Sequence, residues 1–349
     1  MTTTLRRDLR ETRRAAWRCW LTWRVERLIW QIKGRPKAGA AIVVAGSGRA
    51  GTTWLAQLLS IAPGMQLIFE PLHPNFVPAV RALHDAPTPI DVLHSTYLRP
   101  GEPHPGWEDF FRRVLTGELR NYWTDHERTR LLAWRYIVKM IRANLMLGWL
   151  RACFGCAVVF IVRHPCAVVY SRLARGWSAP VESFLSQSAL MQDHLAEYES
   201  VIRAARSDVE RHAVMWAVEN WVALRQIRAF GGPVVFYETL CEQPIEQMRA
   251  LYGELGLPFR PQTARAIHRR SLARDEKGRA ASKEQMLGRW RRDLSTSDQR
   301  LVLDIVGRFG LSLYDEVRRT SDPFASLRAV GASHLVSHSR RDSNTQPAD

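Results

Sequence analysis

Arg49, Thr52 and Thr53 stand together early in the chain, in the run Ala-Ile-Val-Val-Ala-Gly-Ser-Gly-Arg-Ala-Gly-Thr-Thr-Trp from Ala41 to Trp54. All three can grip an anion. Gly46 and Gly51 have the spacing of a nucleoside-triphosphate loop, yet Thr52 occupies the position where that loop carries lysine. The backbone N–H groups of Gly48, Arg49, Ala50, Gly51, Thr52 and Thr53, together with the start of a helix at Thr52, would still cradle a phosphate. Arg49 supplies a cation from inside the turn. The expected ligand is therefore a phosphate group held differently from the way an ATPase holds it, and no Mg²⁺-holding partner of the usual kind is evident. Further along, Arg163 closes an apolar run and Ser171 follows eight residues later. A guanidinium at a strand end can fork onto a second phosphate.

These side chains act together only if strand ends and helix starts meet in one place. Residues 41–45 are short, apolar and β-branched, and read as a buried strand leading into the turn. Residues 52–61 read as the next helix, stopped by Pro63-Gly64. Further strands are expected at 66–70, 136–141, 156–162 and 233–238. Helices are expected at 107–119, within 181–230, from the last strand to about 255, and at 296–309. The Pro- and His-rich stretch 74–106 reads as loop with one short helix. Strands alternating with helices predict an α/β protein with a P-loop-like three-layer fold, in which a central parallel sheet is flanked by helices. Crossovers should be right-handed. The expected division is a basic, Trp-rich helix and linker over 1–39, one domain over 40–319, and a polar, poorly ordered tail over 320–349.

The net charge of +16 points to anionic partners. Half of it is local: residues 1–40 hold eleven Arg or Lys against three Asp or Glu, a net of +8. In residues 5–33, Trp17, Trp20, Leu21, Val25, Leu28 and Ile29 recur at helical spacing among arginines. One reading packs this helix on the domain. The other lays it on an anionic membrane surface. Five cysteines, an odd and sparse set, argue against a disulfide scaffold and fit a reducing compartment. The lone Cys153-Phe-Gly-Cys156 has no second pair for zinc, and buried structural thiols are the expectation. With no apolar run long enough to span a bilayer and no signal peptide, a cytoplasmic protein is expected, with contact at the membrane through residues 5–33 as the open alternative.

The loop Gly-Ser-Gly-Arg-Ala-Gly-Thr-Thr-Trp (46–54) resembles the 5′-phosphosulfate loop of the sulfotransferases that use 3′-phosphoadenosine 5′-phosphosulfate (PAPS). The run Phe-Ile-Val-Arg-His-Pro-Cys-Ala-Val-Val-Tyr-Ser-Arg (160–172) resembles that family's 3′-phosphate motif, with His164 where glycan-type relatives mostly carry Asp. Leu-Ile-Phe-Glu-Pro-Leu (67–72), the Tyr237-Glu-Thr segment and Gly-Arg-Trp-Arg-Arg-Asp-Leu-Ser (288–295) extend the resemblance over roughly residues 41–315. Arg49 rather than lysine and the Phe-Glu-Pro segment bring the chain closest to the glycan and glycolipid type.

The resemblance implies roles residue by residue. Gly48, Arg49, Ala50, Gly51, Thr52 and Thr53 would hold the 5′ side of PAPS, and Arg163 and Ser171 the 3′-phosphate. Trp54 and Tyr237 are adenine candidates, and Lys283, with Lys277 and Arg279 as rivals, a cation closing over the 3′-phosphate. Arg49 would neutralise charge during transfer. The histidine base of phenol and steroid enzymes is absent at Lys139-Met140-Ile141; Glu70 is the expected base and His73 its competitor. The implied products are PAP and a sulfated hydroxyl, from a small-molecule, glycan or glycolipid acceptor, with no metal and no nucleic-acid partner. A P-loop-like nucleotide kinase or NTPase and a non-catalytic basic membrane or nucleic-acid adaptor are the rival readings.

Overall fold

A computed structural model describes residues 23–32, 34–83, 95–127, 133–271 and 283–314, with backbone alone at 283–286. Five strands, β1 (Ile42–Ala45), β2 (Met65–Phe69), β3 (Arg135–Met140), β4 (Ala157–Val162) and β5 (Val234–Phe236), form one sheet. Its order is β2-β3-β1-β4-β5 and every pairing is parallel. The chain moves to one side of β1 for β2 and β3 and to the other for β4 and β5. The carboxyl ends of β1 and β4 therefore flank the point where strand order reverses, the usual binding crevice of an open parallel sheet.

Because side chains alternate across a strand, the apolar runs cover both faces. Ile42, Val44, Ile137, Val159 and Ile161 face α2 (Thr52–Leu59) through Leu55, Ala56, Leu58 and Leu59. Val43, Ala45, Val138, Met140, Phe160 and Val162 share the opposite core with α3 (Pro105–Leu115), α4 (Leu147–Phe154), α5 (Pro165–Leu173) and α6 (Asp208–Phe230). Each fully buried aliphatic side chain contributes roughly 1.5–3 kcal/mol. This is the three-layer α/β architecture expected from the strand and helix alternation. Among the described residues no helix is long and apolar enough to cross a membrane.

Several boundaries differ from the sequence reading. The helical pattern over 181–230 is broken: short turns reach Ala204, and a capping box then starts α6, with Ser207 Oγ accepting from Glu210 N–H. The expected strand 233–238 stops at Phe236, because Tyr237 opens α7 (Tyr237–Glu242), and Pro244 starts α8 (Pro244–Glu254) as a separate helix. Helix α4 and a basic helix, α9 (Pro261–Ser271), were not anticipated. Two further helices, α10 (Lys283–Asp293) and α11 (Thr296–Arg308), complete the described chain. The tail 320–349 lies outside the described residues.

Residues 23–32 form helix α1, which is tied to the domain. Trp30 is buried in the larger core, and Glu26 is buried against Arg120, which also binds Asp125 through a 3.0 Å Nε–Oδ1 hydrogen bond. An ion cluster buried this deeply resists separation, since removing one partner costs about 3–5 kcal/mol. Trp17, Trp20 and Leu21 lie outside the described residues.

Candidate active site

The anion loop follows directly from β1. Gly46 touches the sheet so closely that a Cβ there would lie 2.5 Å from the Ile161 carbonyl. Gly51 has φ +97°, and a Cβ would lie 2.5 Å from the Tyr237 ring. Only glycine fits at either position. The loop is braced from behind by α5 and α6: Asn220 Nδ2 donates to Ser47 Oγ (3.0 Å) and Arg172 Nε to the Gly48 carbonyl (3.2 Å). Helix α2 then points its N-terminus, with buried Thr52, toward the turn.

Arg49 and Glu70 are the two non-glycine residues with positive φ among the described residues, at +81° and +41°. Such backbone costs of order 1–3 kcal/mol per residue and persists where the surroundings enforce it, commonly at functional sites. Here the enforcement is visible. Arg163 Nη1 donates to the Arg49 carbonyl (3.0 Å), Arg49 Nε donates to Ser171 Oγ (2.9 Å), and Glu70 N–H donates to the Lys139 carbonyl (2.9 Å).

Glu70 is buried at the carboxyl end of β2. Its Oε1 accepts from Lys139 Nζ (2.6 Å) and Ile141 N–H (3.1 Å), and its Oε2 from Arg142 Nη1 at a longer 3.3 Å. The carboxylate is thus aimed and neutralised by two cations, while Oε2 keeps room for one more hydrogen-bond donor. His73 stands nearby in an aromatic cluster with Phe76 and Trp123, and its Nδ1 accepts from Asn75 N–H (3.3 Å).

Arg163 closes the β4 end of the site. Trp216 Nε1 fixes its carbonyl (3.1 Å), and its guanidinium lies 4.3 Å from the centroid of the Tyr237 ring. The Arg163 Nε is buried and unpartnered. Burial pushes the Tyr237 phenol up to about 12, against the pull of Arg163, so the ring stays neutral and meets Trp54 edge-on at 6.0 Å. His164 keeps the capping role open to an aspartate, since its Nδ1 accepts from Cys166 N–H (3.2 Å). In addition its ring stacks on Trp290 of α10 at 4.3 Å, so the substitution joins the two motifs.

A cleft of about 770 Å³ brings these parts together. Of the residues expected from sequence, Arg49, Gly51, Thr52, Thr53, Trp54, Glu70, Arg163 and Tyr237 line it, and so does His73. Gly48 lines a neighbouring cavity, Ala50 is buried, and Ser171 reaches the site through Arg49. Residues expected at the two phosphates of the donor, Arg49 and Ser171, thus touch each other. Lys283 starts α10 with its side chain outside the described residues, as are Lys277 and Arg279 entirely. Sequence reasoning missed Lys139 and Arg142 as partners of Glu70, and Arg269, Arg270 and Ser271 at the cleft rim. The basic pair closing a helix was the only local sign of the last three. Cys156 is a buried thiol, raised to about 11 by burial, and Cys153, exposed, is unpaired.

Comparison with solved structures gives matches of low identity. A sulfotransferase domain from the curacin biosynthetic pathway is 14% identical over 77% of this chain and 97% of its own, with a TM-score of 0.42. A mouse sulfotransferase complexed with PAP is 11% identical over 80% and 87%, with a TM-score of 0.41. A retinol dehydratase in complex with androsterone and the inactive cofactor PAP is 14% identical over 83% and 85%, with a TM-score of 0.38. No curated protein sequence matches the chain significantly. The profile of the sulfotransferase family matches residues 41–261, a span running from the residue before β1 to the first residue of α9 and holding all five strands, the anion loop and Glu70. By that match the chain belongs to the sulfotransferase family.

Proposed function

We propose that the protein moves a sulfuryl group from PAPS to a hydroxyl of a sugar or glycolipid, with Glu70 as general base. The observation that carries this reading is the meeting of Arg49 and Glu70, both in strained backbone, with Arg163 in one cleft. The residues suit a nucleotide with phosphate at both ends. The loop amides, Thr52 and Thr53 would take the 5′ side, and the Arg163 guanidinium and Ser171 the 3′-phosphate. Trp54 and Tyr237 line the cleft as candidates for the base, with the Arg163 guanidinium over the Tyr237 ring.

PAPS supplies an activated sulfuryl group whose S–O bond to the 5′-phosphate breaks as the acceptor oxygen bonds to sulfur. Glu70 Oε2 takes the acceptor proton as that bond forms. Arg49 and the loop amides neutralise the charge that collects on the leaving phosphate oxygen. Lys139 and Arg142 hold the Glu70 carboxylate in position. Calorimetric titration with PAP, and separately with ATP and Mg²⁺, tests the donor assignment. PAP is expected to bind and ATP–Mg²⁺ to bind far more weakly. The reverse order would return the protein to the kinase class.

Helix α1 supports a peripheral role at a cytoplasmic membrane face. Glu26 and Trp30 turn inward, and Val25, Leu28 and Ile32, spaced for one stripe, are 40%, 61% and 83% exposed beside Arg24 and Arg27. Apolar side chains between arginines, in a segment of net +8, complement an anionic bilayer. The protein should sediment with phosphatidylcholine vesicles containing phosphatidylglycerol and not with phosphatidylcholine alone. Leu28→Glu with Ile32→Glu should release it; equal sedimentation of wild type and variant would sink the idea.

A further inference from the structure

The turn over residues 121–124, between α3 and β3, is built around Asn121. Its Oδ1 accepts from the N–H groups of Trp123 and Thr124 (2.9 Å each), and its own N–H donates to Thr124 Oγ1 (2.9 Å). An asparagine side chain bonded to the backbone two residues on mimics a backbone turn and fixes it. The buried Arg120–Asp125 pair ties the two ends of the turn together.

This turn grips the chain on both sides of Glu70. The Thr124 carbonyl accepts from Phe69 N–H (2.9 Å), Trp123 Nε1 donates to the Glu70 carbonyl (3.3 Å), and Asn121 Nδ2 donates to the Phe76 carbonyl (2.7 Å). The indole also stacks on Phe76, with centroids 4.0 Å apart and rings 15° from parallel, and meets Phe69 edge-on at 5.4 Å. Trp123 lines the cleft; Asn121 does not.

Glu70 needs such a grip. At φ +41° its backbone costs of order 1–3 kcal/mol and must be held from outside. Among the described residues, its N–H and carboxylate bond to Lys139, Ile141 and Arg142, at the end of β3 and just beyond. Its carbonyl is held by the His73 N–H of its own turn (3.1 Å) and by the Trp123 indole. Trp123 is thus the one tether on the carbonyl side that comes from a distant segment of the described chain. Freed there, residue 70 can relax toward an ordinary φ, and the carboxylate turns with the backbone that carries it.

We infer that residues 121–124 form a clasp that positions Glu70, with Asn121 and Trp123 as positioning residues for the base. The inference rests on the reading of Glu70 as the base, and adds to Lys139 and Arg142, which hold the carboxylate, a device that holds the backbone beneath it.

Two variants test the clasp. Trp123→Phe keeps a stacking ring and removes the Nε1 donor. Asn121→Ala removes the centre of the turn without touching the cleft. The first readout is amide hydrogen exchange at Ile141, whose N–H donates to Glu70 Oε1 (3.1 Å) and so reports whether the carboxylate is seated. Exchange should quicken about fivefold in Trp123→Phe, the worth of one neutral hydrogen bond, and more in Asn121→Ala. Wild-type protection of the β1 amides separates a loosened clasp from a misfolded chain. The second readout is single-turnover transfer from labelled PAPS to p-nitrophenyl β-D-glucoside. Both variants should slow transfer at saturating PAP while PAP affinity by calorimetry stays close to wild type. Neither should slow it further in a Glu70→Gln background, because residues that act through one group are not additive. Unchanged exchange at Ile141 overturns the clasp, and so does a loss of transfer that repeats in full on Glu70→Gln; either result leaves the base standing. Quickened exchange at Ile141 beside a Glu70→Gln that transfers at the wild-type rate overturns the base and keeps the clasp as a holder of the carboxylate.

Discussion

Arg49→Ala is expected to lower sulfuryl transfer by about 10²–10³-fold, or ~3–4 kcal/mol of transition-state stabilisation, the effect of losing one charge-stabilising donor in a preorganised site. The argument rests on position as much as charge. Arg49 sits at φ +81° in the turn between β1 and α2, with its carbonyl held by Arg163 and its Nε on Ser171. The side chain is therefore delivered to the cleft by the loop rather than by a flexible surface segment. Arg49→Lys restores a charge but not the planar fork, and should recover part of the loss at most. Arg49→Gly should be as inactive as Arg49→Ala yet melt at a higher temperature than it, because glycine accepts that φ without strain. Single-turnover transfer from labelled PAPS, with thermal melts of the three variants, checks each part. Near-wild-type turnover in Arg49→Ala would remove the residue from the chemistry.

Glu70→Gln is expected to stop transfer by about 10²–10⁴-fold while leaving PAP affinity close to wild type, since general-base catalysis supplies a factor of that size. The amide preserves shape and still accepts from Lys139 or Ile141 N–H. It also leaves two cations, Lys139 and Arg142, without a counter-charge in a buried site. Some loss of stability should accompany the loss of activity, so a thermal melt and a PAP titration are needed beside the rate. His73→Ala is the comparison. His73 lines the same cleft, but its Nδ1 is occupied by Asn75 N–H and its ring is wedged among aromatics. Its loss should weaken acceptor binding more than turnover. An active Glu70→Gln beside a dead His73→Ala would exchange their roles.

The parts of the site that sequence revealed share one property: the chemistry is carried by consecutive residues. A glycine turn between an apolar strand and a helix makes its anion grip from its own backbone, so Gly46 to Thr53 can be read as a word. Arg163 and Ser171 are similarly local, joined by one strand end and one helix. The alternation of apolar runs gave the parallel sheet for the same reason, because burial on both faces demands continuous β-branched stretches. Boundaries failed where a competing local rule acted. Tyr237 looked like the end of a strand and is the start of α7; the pattern over 181–230 hid the capping box that begins α6.

What the chain alone determined is thus the glycine turn between β1 and α2 and the order of layers, since each follows from neighbours in sequence and from the period of burial. Only the tertiary structure decided what Glu70 is held by, that Arg49 and Ser171 touch across 122 positions, and that Arg172 is paired with Glu219. Those contacts join strands β2 and β3, the β1 turn and α5, and α5 and α6. Side chains from separate elements meet through the sheet order and crossovers, and no pattern of adjacent residues records which strand ends will be neighbours. The glycine turn, by contrast, is one run of consecutive residues, which is why the chain alone displays it.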